Sequence, residues 1–401
     1  MTELIRRAFE ENGGIMRLLP AWVPRVFCRP GMRIKLHPND TYALGLERGG
    51  IDERWFSSTT HAENGPLTAW DEGLSYVAVG DGKVLLRDVV AQYGSEAIGT
   101  ALWKQYGAWP IYSKFFDNLG PLPHHVHHND AFAKRVGQSG KPEMYFFPAQ
   151  HNNYGGEFPH TYFGLNPGTR RAQFVDALKA FSKGDNRLLS LARAYTLELD
   201  TGWDVPPGVL HAPGSLCTYE PQFASDVFAM YQSVLLGGHV VSEDLLWKDS
   251  PPEARGDFEY LADVLDWELN TDPMFFENRR MTPVDENPSA VISETGFIQE
   301  WICYKCETVS AKRLTILPGR EAVIADPAAY GLIMVQGTGK LNDLPLETPT
   351  LIRYGEQTYD EYFISVNAAN DGVRIRNLSG SEPLVMLKHF AGRPGYEERA
   401  S

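Results

Sequence analysis

At 401 residues the chain is long for one hydrophobic core and comfortable for two. Hydrophobic residues at 43%, aromatics at 12% and 27 prolines favour strands and structured turns over long helices. The net charge of −14 argues against a nucleic-acid or anionic-membrane partner, because an acidic surface repels both.

The N-terminus, Met1-Thr2-Glu3-Leu4-Ile5-Arg6-Arg7, reads as a short amphipathic helix ending near Gly13-Gly14 and lacks the apolar core of a secretion signal. No stretch approaches the roughly 20 apolar residues that span a bilayer. The cysteines Cys28, Cys217, Cys303 and Cys306 are scattered, which suits a reducing cytoplasm better than a disulfide framework. Cys303-Tyr304-Lys305-Cys306 has zinc-like spacing but no second pair, and reads as two thiols on a strand.

From Pro30 to Gly120 short β-like runs alternate with turns. Ser75–Val79 and Ile111–Phe116 are strand candidates, and Leu85 to Trp103 reads as helical. Glu157 to Gly168, rich in Gly, Pro and aromatics, reads as a loop. Thr169 to Ala194 has helical spacing broken at Gly184, strands resume at Tyr195, and Pro252 to Leu269 reads as another helix. Asp272 to Pro288 is polar and turn-rich, and the domain boundary is placed there. Beyond it, eight short strands separated by Gly, Pro, Asn and Asp suggest a jelly roll.

Three fragments carry residues able to bind a metal: Pro123-His124-His125-Val126-His127-His128, Gly140-Lys141-Pro142-Glu143-Met144-Tyr145 and Val205-Pro206-Pro207-Gly208-Val209-Leu210-His211. On a strand, residues i and i+2 share a face, so His125 and His127 point together. His124 and His128, each two residues from Val126, leave the register open. A neutral imidazole is a ligand for zinc, iron, manganese and nickel. Lys141 is two positions before Glu143 and is expected on the same side, where it can hold or donate a proton. Pro206-Pro207-Gly208 forms a tight turn that delivers His211. Taken singly, a histidine-rich loop, a surface Lys–Glu pair and a structural histidine would explain these fragments. Together they specify one metal site.

These fragments resemble a cupin, and most of the chain is similar to the type I mannose-6-phosphate isomerase family. Gly50-Ile51-Asp52-Glu53-Arg54-Trp55 resembles its Gly-Glu-x-Trp segment, and Trp109 to Asp117 resembles the strand before its metal site. His125-Val126-His127-His128-Asn129-Asp130 stands in the place of Gln-Val-His-Pro-Asn-Asp. Gly140 to Tyr145 resembles Gly-Lys-Thr-Glu-Met-Trp, and Pro207 to Ala212 resembles Pro-Ala-Gly-x-x-His-Ala. The likeness runs from about residue 30 to 235, and the C-terminal part fits the family's second barrel.

The resemblance implies an all-β fold with helical insertions and two cupin (jelly-roll β-barrel) domains, residues 1–270 holding metal and residues 289–395 metal-free. It implies His125, His127, Glu143 and His211 as ligands of one divalent ion, zinc first, with manganese, iron or nickel as alternatives. It implies a cytoplasmic aldose–ketose isomerase of a sugar or sugar phosphate, with Lys141, Glu143 and Lys114 as catalytic candidates, His128 weaker, and Tyr145 shaping the pocket. The exposed strands of the second barrel point to packing on the first domain or on another copy of the chain. The departures are His125 for the family's Gln, Pro123 for a Ser beside the substrate, Ala229 for an Arg and Gln232 for an Asp. They make mannose 6-phosphate a doubtful substrate. They also keep open a redox cupin of the dioxygenase type and a non-catalytic carbohydrate-binding protein.

Overall fold

The computed structural model of the chain describes residues 2–152, 158–235, 237–286 and 292–396. It is mostly antiparallel β-sheet, in four sheets that form two barrels. The first barrel faces a seven-stranded sheet against a five-stranded one. The larger runs Arg280–Met281, Gly202–Val205, Glu143–Phe146, Thr218–Phe223, Ile111–Phe116, Gly50–Phe56 and Ala21–Arg25 in spatial order. The smaller runs Ala192–Thr196, His160–Leu165, His211–Ala212, His125–Val126 and Ala229–Met230.

The strands of the seven-stranded sheet are buried on both faces, which is why their sequences read as mixed and not as clean alternation. On Ile111–Phe116, Ile111 and Phe115 join the core shared with the second barrel, while Tyr112 and Phe116 belong to clusters inside the first. On Glu143–Phe146, Met144 and Phe146 face the shared core and Tyr145 the interior. The period of two therefore places Lys114 and Glu143 inside the barrel.

The second barrel combines a nine-stranded sheet, built around Val309–Ile316, Leu384–Ala391, Tyr330–Gln336 and Glu361–Ile364, with a four-stranded sheet. Its interior packs Leu314, Ile316, Leu332, Met334, Met386 and Phe390, together with a buried ion-paired group in which Lys312 and Lys388 both meet Asp326. The N-terminal strand Ile15–Leu19 pairs with Glu361–Ile364 on one side and with Tyr76–Val79 on the other. Early residues thus extend the sheet of the C-terminal barrel. The segment that carries the sequence-based boundary lies partly outside the described residues, at 287–291.

Several element expectations hold. Helix Thr2–Glu10, strands Tyr76–Val79 and Ile111–Phe116, and helices Leu86–Tyr93, Ser95–Ile98 and Thr100–Tyr106 lie where the periodicity puts them. Others are corrected. Residues 160–165 form a strand and not a loop, with Thr161, Phe163 and Leu165 buried. The Gly and Pro content hid a strand that pairs with both His211–Ala212 and Ala192–Thr196. The single helix expected from Pro252 to Leu269 is a 3-10 turn followed by two short helices, Phe258–Asp263 and Trp267–Thr271. Asp257 and Asp266 each accept backbone N–H bonds at the start of these helices, so each restarts at an aspartate cap. The polar run after Asp272 contains the helix Phe275–Arg279 and two short strands.

The N-terminal strand gives one expected outcome. A fragment of residues 289–401 lacks Ile15–Leu19, leaving the Glu361–Ile364 edge unpaired on that side. The fragment is expected to aggregate, and size-exclusion chromatography showing a folded monomer would contradict this.

Candidate metal centre

The strand pairings gather the three sequence fragments. His211 is opposite His125, Val205 is opposite Glu143, and Met230 is opposite His125. The Pro206-Pro207-Gly208 turn is held down by the Gly208 N–H, which donates to the His127 carbonyl at 2.8 Å. Gly208 has φ +84, and a Cβ there would come within 3.0 Å of the Asp266 nitrogen, so the turn needs glycine.

His125, His127 and His211 form a buried group whose ligand atoms all lie within 4.8 Å of one another. Glu143 closes it, with carboxylate oxygens 3.1 Å from His127 Nε2 and 3.2 Å from His211 Nε2. The three expected histidines thus form one group, and Glu143 stands beside two of them. The strand register is the one that turns His125 and His127 inward. His124 instead bonds through Nδ1 to Gln232 Oε1 at 2.9 Å, and neither ring nitrogen of His128 has a partner among the described residues.

Tautomers settle what this group can hold. His125 Nδ1 lies 2.8 Å from the Pro123 carbonyl, His127 Nδ1 2.7 Å from that of Val227, and His211 Nδ1 2.8 Å from that of Val209. A carbonyl only accepts, so each Nδ1 carries the proton and each Nε2 presents a lone pair inward. Burial keeps two of the rings neutral. It pushes His125 well below the usual imidazole range, with His211 adding to the effect, and it pushes His127 down to about 3, helped by Lys141. Burial works to raise the Glu143 carboxyl, but Lys141 and then His127 hold it well below the ordinary range. Three inward lone pairs and one carboxylate, with His211 Nε2 unpartnered among the described residues, form an acceptor cluster that costs about 1–3 kcal/mol for each buried acceptor left unsatisfied. A divalent cation removes that cost, and a three-nitrogen, one-carboxylate set fits one.

Around the ligands lies a web of charge. Lys141 Nζ is 2.9 Å from Glu143 Oε2, 3.0 Å from His127 Nε2 and 3.5 Å from Glu220 Oε1. Lys114 Nζ is 3.4 Å from Glu53 Oε1 and 3.3 Å from Glu220 Oε1. The Tyr145 hydroxyl donates to Glu143 Oε1 at 2.5 Å and fixes that carboxylate. Lys141, Lys114 and Tyr145 all line this cavity.

Four residues of the cavity were missed as site residues: Arg25, Glu53, Glu220 and Asp226 line the same space. Glu220 is buried, and burial followed by the nearby Glu143 raises its carboxyl to about 8. It alternates with Tyr219, which packs in the shared core, so a period-two reading of Thr218–Phe223 would have turned it inward. Glu53 sat inside a quoted motif without a role. Arg25 had no signal: it follows a proline in a short N-terminal strand, and only the fold brings it to the site. Ala229, where the resemblance has an Arg, is fully buried opposite Val126. The cavity holds about 30 Å³, room for about one or two waters. No helix among the described residues is long and apolar enough to cross a membrane.

No family model matches the sequence, and no curated protein matches it. Solved structures do match its fold. Mannose 6-phosphate isomerase from Bacillus subtilis superposes with a TM-score of 0.60 at 15% identity, over 94% of this chain and 99% of that one. A variant of phosphomannose isomerase from Salmonella typhimurium gives 0.62 at 12% identity, over 94% of this chain and 99% of that one. A zinc-bound mannose 6-phosphate isomerase gives 0.62 at 13% identity, with the same 94% and 99% coverage. At such identities the likeness shows the architecture: this chain has the two-barrel cupin fold of these isomerases.

Proposed function

We propose that the chain is a metal-dependent aldose–ketose isomerase whose first barrel, within residues 1–270, holds one divalent ion on His125, His127, Glu143 and His211. The observation that carries this reading is the convergence of three inward Nε2 lone pairs and one carboxylate in a fold shared with zinc-bound isomerases. Zinc is the first candidate for this donor set, with manganese, iron and nickel next. The second barrel, residues 289–395, is proposed to have no metal of its own. Four free cysteines, three of them buried, fit a reducing cytoplasm.

The bound metal would supply positive charge to the carbonyl and neighbouring hydroxyl oxygens of an open-chain sugar. The chain's own residues do the rest. Tyr145 and the three backbone carbonyls hold the ligands in one orientation. Lys141 holds a proton beside Glu143 and His127, where a substrate oxygen would develop charge. Glu220 Oε1 lies 3.3 Å from Lys114 Nζ and 3.5 Å from Lys141 Nζ, and Glu220 is the carboxyl best placed to take or return a proton. Phe27, Leu122, Phe228 and Met230 supply the apolar part of the lining, against which the carbon face of a sugar would pack.

The test is metal analysis of the purified protein followed by an isomerisation panel of pentoses, hexoses and their phosphates, with and without chelator. Turnover that disappears on chelation and returns with metal supports the reading. Full turnover without metal, or no turnover of any sugar with any candidate metal, sinks it. Lys141→Met is expected to lower kcat by about a hundredfold or more, the usual scale of a lost proton donor. Its metal content should stay near that of the unmodified protein, which separates a catalytic loss from a collapsed site.

A further inference from the structure

We propose that the substrate of this site is an uncharged sugar and not a sugar phosphate, because among the described residues the cavity offers it hydrogen-bond acceptors and no uncommitted cationic side chain. This rests on the isomerase reading above. The cavity has three cationic side chains, Arg25, Lys114 and Lys141. The Arg25 guanidinium donates from Nε to Glu53 Oε1 at 3.1 Å and from Nη2 to Glu53 Oε2 at 3.2 Å. It also donates from Nη1 to Asn64 Oδ1 at 2.6 Å and to Asp226 Oδ2 at 3.3 Å, and from Nη2 to Asp226 Oδ1 at 3.2 Å. A guanidinium has five N–H donors, and these five bonds use them all. Lys114 is shared between Glu53 and Glu220, and Lys141 between His127, Glu143 and Glu220.

Each of these cations already faces a buried carboxylate: Arg25 faces Glu53 and Asp226, Lys114 faces Glu53, and Lys141 faces Glu143. Glu220 Oε1, buried and facing the cavity, lies near both lysines yet accepts no hydrogen bond from a described residue. Besides His125, His127 and Tyr145, the remaining lining is apolar: Phe27, Leu122, Pro213, Phe228 and Met230. A sugar hydroxyl brings a donor to such acceptors. A phosphate brings only acceptors and about two negative charges. To hold it, Arg25 or a lysine would have to leave a buried carboxylate stranded, which costs more than it returns. Arg25 therefore does not replace the guanidinium that Ala229 lacks. It is a positioning residue that bridges Glu53 and Asp226.

The test uses the metal-loaded full chain and two probes that cannot isomerise, a hexitol and the same hexitol as its monophosphate. Calorimetric titration is expected to show the hexitol binding at least about tenfold more tightly, the scale of one charge-assisted hydrogen bond. The Asp226→Asn variant removes a carboxylate charge and frees one Arg25 N–H, since the amide keeps one acceptor oxygen, and is expected to narrow the gap by about tenfold. Asn64→Ala, which frees one N–H and leaves every charge pair in place, should shift it the same way by less. Equal or tighter binding of the phosphate by the unmodified chain, or no binding of either probe, overturns the proposal. Because these probes report binding alone, a failure of isomerisation shows separately, in the sugar panel.

Discussion

Replacing His127 and His211 together by alanine is expected to remove metal from the purified protein, from about one ion per chain to a trace. Losing an outer hydrogen-bond partner of a ligand already costs ten- to a hundredfold in affinity. Losing two of four direct donors should therefore exceed about a hundredfold. A thermal readout follows from mass action. A metal present at about a thousand times its dissociation constant stabilises the folded chain by about 4 kcal/mol, so chelation should lower the Tm of the unmodified protein and leave that of the double variant unchanged. Near-UV circular dichroism checks that the variant keeps its packed aromatics, Tyr145 and Trp203 among them. Undiminished metal in a folded double variant would show that the ion, if any, is held elsewhere.

How much of this was legible in the sequence depends on the range of the signal. The metal group lies in three short fragments whose spacing is local: a His-x-His pair, a Lys-x-Glu pair and a Pro-Pro-Gly turn before His211. Each fixes its own geometry within a few residues, so the four ligands could be named. The surrounding charges could not. Arg25 meets Asp226 and Glu53 only because two distant strands close one barrel, and no periodicity within Ala21–Arg25 announces that. The strand at residues 160–165 was hidden for a related reason: Gly164 and its flanking prolines are loop residues by local preference, and pairing on both sides overrides them. The N-terminal strand could not be assigned to the C-terminal barrel from local pattern either, since its partner Glu361–Ile364 is more than three hundred positions away.

The largest stability effect is expected at the junction of the barrels, from Arg54→Ala. On the strand Gly50–Phe56, Glu53 turns into the site and Arg54 turns the other way. Arg54 donates from Nη1 and Nη2 to the two oxygens of Asp360 at 2.8 Å each, and its Nη2 lies 3.4 Å from Glu361 Oε2. All three side chains are buried. Truncating Arg54 leaves two acidic groups in the interior without their cation, a loss of about 3–5 kcal/mol against a total stability of about 5–15 kcal/mol. Calorimetric unfolding checks it, and a cost under about 1 kcal/mol would show that the junction is held by apolar packing alone. Glu361 supplies a pH signature. Burial raises its carboxyl from 4.5 to about 8 in the folded chain, although Arg54 and the Ser57 N–H pull the other way. Between these values the folded state holds a proton that the unfolded state has released, so stability falls as pH rises from about 4.5 to 8 and is level beyond. Glu361→Gln should flatten that slope and raise the Tm at pH 8, while Arg54→Ala should carry the decline on beyond pH 8, because a lone Glu361 is harder still to ionise. Glu53 is the next residue along from Arg54, and it anchors both Arg25 and Lys114. Loosening the junction should therefore also weaken the site, through the position of those two cations and with every metal ligand intact.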